Sequence, residues 1–574
     1  MTQSEDLAAA RAECLKSILT SESSRQIIVA GAGTGKTFTF KQLLERISGN
    51  SLAITFINAL ANDMAKELNG LADTRTFHSF CRYLLHKVES DGISADFHLF
   101  PKLEKLVDLD ATALGFANSI ENNQFSAAFR ALVEDDGRTA FYLERASFYN
   151  AVGFDDCVYR VLRVFRDANE SVPQFDQIVV DEYQDFNALE VEFIDHLGSK
   201  SPILIAGDDD QAIYDFKAAS PDYLRAKFVD PSFETHELPY CSRCTSVVVR
   251  ACNDFVAAAL KKGFLRGRVD KRYQCYEPGK RADSEKYPQL IHANCSVNSK
   301  KAPYIGRYIE QVVKSVSGEE VEASIKGCYP LVLIMGPSHY LTQIHNYLVG
   351  CFENVVYKPR PRDDLTLLDG YRVLLRDDRA NLGWRVVTQL EEPDLAPRLI
   401  DTAVREGSDL YSKLEEGFRD RHLACIESLR ALMRGDEIGQ DGIHALEKRL
   451  GLPLDAVKLE LKMDIENKVD GLENETEEQD RQPEIRLTTY NGSKGMSAGF
   501  TFIVGLENEV LPRTPDRISD NEICQFVVAL TRTRQQCHLI STGFFAGVKR
   551  NASDFLAWIP PEHISRVRVD KNFF

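Results

Sequence analysis

Apolar positions along the chain fall into two kinds of run, and their order predicts the architecture. Short unbroken runs that read as buried strands occur at Ile27–Val29, Leu52–Phe56, Ile178–Val180 and Ile203–Ala206. Leu7–Leu19 and Phe38–Ile47 instead mix apolar and polar residues at helical spacing. Strand, helix, strand in that order implies a parallel sheet, because parallel neighbours need a crossover connection. A second set of strand-like runs, Leu331–Met335, Ile485–Thr489, Phe502–Val504 and His538–Ile540, predicts a second sheet, with the apolar run Phe526–Leu530 leading into the last of them. Between these sets, 86–173 and 366–481 lack strong strand runs and carry helical-period segments such as Phe125–Val133, Val158–Phe165 and Leu414–Arg434. The expected fold class is therefore α/β, with two parallel-sheet domains each interrupted by a helical insertion. The first sheet domain is expected over 1–85 and 174–236, with its insertion at 86–173. The second is expected over 237–365 and 482–574, with its insertion at 366–481, which ends in an acidic, apolar-poor linker at 470–480.

Chemistry enters where the first strand run stops. Ala30–Thr37 fits the pattern G-x-x-x-x-G-K-[ST], with alanine in place of the first glycine. Gly31, Ala32, Gly33, Thr34 and Gly35 would let backbone N–H groups approach a polyphosphate. Lys36 would reach its terminal phosphates, and the Thr37 hydroxyl would hold Mg²⁺. Phe38 follows at the start of the next helix. The run Ile178–Val180 ends in Asp181-Glu182, and a carboxylate pair at the end of a buried strand is costly unless it serves something. Asp181 is expected beside Mg²⁺ and Glu182 beside the attacking water. The loop Gly207–Lys217, rich in acidic and polar residues, follows another strand and should lie beside the same nucleotide. Arg243 and Arg532 are expected to cross a cleft between the sheets and neutralise charge on the γ-phosphoryl group.

Composition narrows the class. A chain of 574 residues, 44% hydrophobic, has room for several cores, and its formal charge of −17 excludes coating of nucleic acid by bulk positive charge. The exception is Lys261–Arg281, where lysines and arginines interleave with Phe264, Tyr273 and Tyr276. This stretch reads equally as a track for a phosphate backbone and as solvated surface. The 13 cysteines show no paired framework, and Cys241-x-x-Cys244 lacks partners for a metal site, so reduced structural thiols and no zinc are expected. No apolar run reaches membrane-spanning length, and a cytoplasmic protein without membrane contact is expected.

Seven blocks in order then carry a specific resemblance: Ala30–Thr37, Thr55–Asn58, Thr76–Phe80, Val180–Asp185, Gly207–Tyr214, Ser493–Met496 and Val528–Arg534. Together they resemble the UvrD/Rep group of superfamily 1 DNA helicases. The resemblance implies two RecA-like domains that use ATP and Mg²⁺ to move along single-stranded DNA, or DNA with a 3′ single-stranded tail, in the 3′ to 5′ direction. It places Lys36, Asp181, Glu182, Gln211, Arg243 and Arg532 in catalysis, with Gln211 as the γ-phosphate sensor, and Thr37 and Asp181 at the Mg²⁺. Tyr240 and Gly495 join the loop residues and Phe38 at the nucleotide, and Phe56, Asn58, His78, Tyr214, Phe216 and Thr489 fall on DNA-contacting positions. Departures from the family pattern lie near the base and ribose. A tyrosine expected beside Arg243 is Ser242, leaving only Tyr240 nearby; an expected carboxylate is Ser497; an expected histidine is Asn491; and no glutamine is well placed before the loop. Weak base selectivity follows.

Two rival readings differ in class. An ATP-gated DNA-binding subunit that loads or regulates a partner nuclease, in repair or phage defence, would share every motif. A small-molecule P-loop kinase would need a lid and an acceptor site in place of a second sheet bearing arginines.

Overall fold

The computed structural model describes residues 3–56, 58–88, 92–116, 124–133, 136–359, 364–436, 438–462 and 483–574. The expected linker 470–480 lies outside the described residues.

Two parallel sheets organise the molecule. The first is six-stranded, built from β1 (Arg25–Ala30), β2 (Ser51–Thr55), β3 (Asp73–Thr76), β4 (Gln177–Val180), β5 (Ile203–Gly207) and β6 (Glu234–Leu238). Its order is β3-β2-β4-β5-β1-β6. Every pairing is parallel, Ile28 facing Ala206 on one side and His236 on the other. The second is seven-stranded: β7 (Leu290–Cys295), β8 (Val332–Met335), β9 (Val355–Tyr357), β10 (Ile485–Thr488), β11 (Ala498–Val504), β12 (Thr533–Thr542) and β13 (Ile564–Val569), in the order β9-β10-β8-β11-β12-β7-β13. It too is parallel throughout. Central strands carry the unbroken apolar runs because both faces are covered: Ile27, Ile28, Val179, Leu204, Val332, Leu333 and Phe502 are buried.

The strands absent from the sequence reading are mostly edges. β6 (ETHEL), β7 (LIHANC) and β13 (ISRVRV) mix polar with apolar residues, and β9 is only three residues long. Such runs look like loops when read alone.

Helices fill the two stretches between strands. Asp110, on helix Leu103–Ala113, and Arg385, on helix Asn381–Glu391, meet in the core shared by these stretches. Arg385 donates from Nε and Nη2 to Asp110 Oδ1 at 3.0 and 2.8 Å, and Tyr149 Oη donates to Asp110 Oδ2 at 2.5 Å. Both charges are fully buried. Lys102 Nζ adds a 2.8 Å contact to Asp369, and Asn381 Nδ2 donates to the Phe148 carbonyl at 2.9 Å. Among the described residues no helix is long and apolar enough to cross a membrane.

Candidate nucleotide cleft and strand platform

The loop after β1 turns through two left-handed glycines, Gly33 (φ 69°) and Gly35 (φ 98°), which only glycine adopts without strain. Its carbonyls are engaged on one side. Gly31 O accepts from Thr34 Oγ1 at 2.9 Å, Ala32 O from Tyr273 Oη at 2.9 Å, and Gly33 O from the Ser242 N–H at 2.9 Å. The loop thereby offers its N–H groups to the other side, where helix Lys36–Leu44 begins. A Cβ at Gly33 would lie 2.4 Å from Cβ of Arg243, so the arginine stem rests on the loop itself.

Lys36 Nζ stands 3.2 Å from Asp181 Oδ1 and 3.3 Å from Glu182 Oε1, all three side chains largely buried. Glu182 has a left-handed backbone (φ 54°) although it carries a side chain, a strain that turns its carboxylate into the cleft. Burial disfavours its charge, but Lys36 and Lys494 overcome that and hold it below the ordinary carboxylate range. Burial raises Asp181, opposed by Lys36 and reinforced by Glu182. Burial also works against the charge on Lys36, yet Asp181 and Glu182 keep it well above the usual lysine value.

A hydrogen-bond chain runs outward from Glu182. Gln184 Nε2 donates to Glu182 Oε2 at 2.5 Å, and Gln184 Oε1 accepts from the Asp208 N–H at 2.9 Å. Gln211 Nε2 donates to Asp208 Oδ2 at 2.5 Å, and Gln211 Oε1 accepts from Arg532 Nη2 at 2.7 Å. Arg532 thus reaches from the second sheet into the crevice of the first. Burial, then repulsion by Arg243, lowers its pKa to about 10. Lys494 makes the same crossing, donating to Asp185 Oδ2 at 2.5 Å and to Gln211 O at 2.6 Å, with Glu182 Oε2 3.6 Å away. Burial is the main reason that Asp185 is pushed up to about 6. Gly495, with φ 85°, follows in the turn.

Of the acidic loop, Asp208, Asp209 and Asp210 are buried, but three cations neutralise them. Lys271 Nζ lies 2.8, 2.5 and 2.9 Å from the three carboxylates, Arg268 makes two contacts with Asp210 at 2.7 and 2.9 Å, and Arg225 Nε reaches Asp209 at 3.1 Å. Arg268 and Lys271 belong to the basic stretch of the sequence reading. They are neither solvated surface nor free for a phosphate backbone. Cys241 and Cys244 are free, buried thiols packed beside the loop.

On the outer side of the loop a cavity of about 160 Å³ is lined by Arg11, Leu15, Phe38 and Tyr240, among others. Asparagine and glutamine side chains are absent from its lining among the described residues. Phe38 is exposed. Thr37 occupies the second position of the helix after the loop.

Below the cleft, aromatic rings converge. Phe56 lies 5.6 Å from Tyr214 and 6.2 Å from His78, and Tyr214 lies 5.7 Å from Phe216. Phe216 is 55% exposed, which a core ring would not be. Lys217 Nζ sits 4.5 Å over Phe56. Burial, then Lys217, lowers His78 to about 4, so its ring is neutral near pH 7. Tyr214 Oη donates to the Asn491 carbonyl at 3.4 Å, joining these rings to the loop of the second sheet that carries Thr489. Asn58 opens helix Asn58–Glu67, and its side chain lies outside the described residues. The sequence reading named most of these groups. It assigns no role to Lys494, Asp185 or Gln184, although each stands within a quoted block, and it places Tyr273 only in the basic stretch.

Two parallel sheets meeting over a phosphate loop, with cations from one reaching carboxylates of the other, define a two-domain RecA-like P-loop protein. Residues 12–141 and 138–230 match the UvrD/REP helicase N-terminal domain. Over these residues, which carry β1 to β5 of the first sheet and its helical insertion, the chain is similar to the UvrD/Rep type of helicase. It is 22% identical to DNA helicase II of Haemophilus influenzae over 635 aligned residues, covering 95% of this chain and 86% of that protein. It is 27% identical to the ATP-dependent DNA helicase UvrD1 of Mycobacterium bovis, covering 41% of this chain and 38% of the relative. For the ATP-dependent DNA helicase PcrA of Staphylococcus aureus the identity is again 27%, over 40% and 37%. The last two matches thus span under two fifths of those relatives.

Proposed function

We propose that the protein is an ATP-dependent DNA helicase that moves 3′ to 5′ on single-stranded DNA. The observation that carries this reading is the reach of Arg532 and Lys494 from the second sheet to Gln211 and Glu182 in the first. Two sheets clamped through one phosphate site can convert its filling and emptying into relative movement. The aromatic rings from Phe56 to Phe216 lie across the same junction. The domain division is 1–85 with 174–236, 86–173, 237–365 with 482–574, and 366–481.

In this reading Gly31–Thr37 wrap the triphosphate, with Phe38 and Tyr240 flanking the base and Gly495 turning the second-sheet loop toward it. The donor set fits Mg²⁺: Thr37 and Asp181 would hold the ion, which screens charge on the phosphates when bound. Lys36 exchanges its carboxylate partners for the phosphate chain. Losing part of that neutralisation raises the proton affinity of Glu182, which then orients the attacking water and draws on its proton. Gln211 relays the state of the terminal phosphate to Arg532, and Arg243 and Arg532 offset charge in the transition state. Phe56, Asn58, His78, Tyr214, Phe216 and Thr489 face the strand, with exposed Phe216 stacking on a base.

The test is the ATP hydrolysis rate with and without single-stranded DNA. A rate raised several-fold by DNA is expected; a rate indifferent to DNA removes the motor reading.

A further inference from the structure

One short loop of the second sheet fixes three cations in succession. Lys494 points to Asp185 and Gln211, the Met496 carbonyl accepts from Arg532 Nη1 at 3.3 Å, and Ser497 Oγ accepts from Arg534 Nε at 3.0 Å. Arg532 and Arg534 flank Thr533, whose hydroxyl is buried against Thr501 Oγ1 at 2.5 Å. Arg532 stands in the turn before β12 and Arg534 on the strand itself, and consecutive residues of one loop, Met496 and Ser497, hold the two guanidiniums beside each other.

Arg534 is unlike the other two in how it is held. Its guanidinium carbon lies 4.3 Å over the Tyr329 ring, a stack that fixes the plane while leaving the N–H edge available. Ser497 takes Nε, and among the described residues nothing accepts from the Nη atoms. Burial and then Arg243 disfavour its charge. Arg243 is the side chain that rests on Gly33 of the phosphate loop, and its charge acts on both Arg532 and Arg534. The nearest carboxylate influence on Arg534, Asp283, is engaged by Lys280 Nζ at 2.8 Å. Three guanidiniums therefore lie close together beside the phosphate loop, and Glu182 is the carboxylate that acts on Arg532 among them. Such an arrangement is costly unless an anion sits among them.

The geometry points to Arg534 as a third arginine for the bound nucleoside triphosphate, its two Nη groups donating to anionic oxygens of the phosphate chain. This rests on the triphosphate reading of the cleft. Arg532 is held by Gln211, the residue that senses the terminal phosphate. Arg534 has no such relay, so its contact forms on binding and persists through turnover. It sets affinity more than rate.

The test compares wild type, Arg534→Ala and Arg534→Lys as full-length chains, measuring equilibrium binding of ADP and of a non-hydrolysable ATP analogue with Mg²⁺, together with kcat, KM and melting temperature. Arg534→Ala should weaken nucleotide binding and raise KM roughly tenfold or more, with kcat within about threefold and melting temperature unchanged. Arg534→Lys should recover part of the affinity. Unchanged affinity in Arg534→Ala would overturn the assignment. So would a lowered melting temperature in both variants with no recovery by lysine, since the residue would then be holding the fold. A wild type that binds neither nucleotide would instead remove the triphosphate reading itself.

Discussion

Arg532, in the turn that enters β12 of the second sheet, donates from Nη2 to Oε1 of Gln211, in the loop after β5 of the first, at 2.7 Å. Gln211 in turn binds Asp208, which takes its own N–H to Gln184 and so to Glu182. The residue expected to meet charge in the transition state is therefore linked to the residue expected to direct water. Arg532→Ala should lower turnover by roughly 10³-fold while changing ATP affinity far less. Steady-state kinetics and equilibrium nucleotide binding on one preparation check this, and wild-type turnover would remove Arg532 from the site.

Lys36 and Glu182 should separate binding from chemistry. Lys36→Ala removes the phosphate anchor and leaves Asp181 and Glu182 buried without their nearest cation, so ATP affinity should fall sharply. Glu182→Gln keeps the shape and should bind ATP yet hydrolyse it slowly. Equal losses of affinity in the two variants would contradict the division of labour.

The Lys494–Asp185 contact should give the rate an acid limb. Asp185 has its pKa pushed up to about 6, so below that pH it is protonated and the ion pair is lost. Turnover should fall as pH drops through about 6, and Asp185→Asn should lack that limb. The sign for stability is opposite. The folded protein holds this proton more tightly than the unfolded chain, so Asp185 itself favours folding more as pH falls from 6 toward 4. Melting curves in the same buffers should show that the lost rate is not unfolding. A limb preserved in Asp185→Asn would assign it elsewhere.

Arg385 and Asp110 tie the two helical stretches through a pair with no solvent contact. Replacing one partner strands a buried charge, so Arg385→Leu should cost about 3–5 kcal/mol. The double variant Arg385→Leu with Asp110→Leu should cost less than Arg385→Leu alone. Denaturant melts decide, and simple additivity would mean that the pair is not coupled.

The legible parts of the molecule were those with local causes. Glycines of the phosphate loop, buried strand runs and strand-end carboxylates each announce themselves within a few residues. Edge strand β13 and its neighbour β7 did not, because polar residues break their apolar runs. Arg268 and Lys271 were misread because their partners, Asp209 and Asp210, stand 58 to 62 positions upstream, and composition alone cannot show a pairing at that range. The packing of Arg385 on Asp110, 275 positions apart, was invisible for the same reason. Arg534 was passed over beside Arg532, since only the fold shows which arginine has found a partner.

Movement along a strand is most directly tested by ATP-dependent displacement of an oligonucleotide from duplexes bearing a 3′ or a 5′ single-stranded tail, with wild type beside Phe216→Ala. Wild type should displace from the 3′-tailed duplex and not the 5′-tailed one. Phe216→Ala removes a stacking contact worth roughly 1–3 kcal/mol per base and touches no phosphate residue, so it should retain basal ATP hydrolysis and lose displacement. Displacement from the 5′-tailed duplex alone would reverse the direction. A wild type that hydrolyses ATP and binds both tailed DNAs without displacing either strand would contradict the motor and favour a gated DNA-binding subunit.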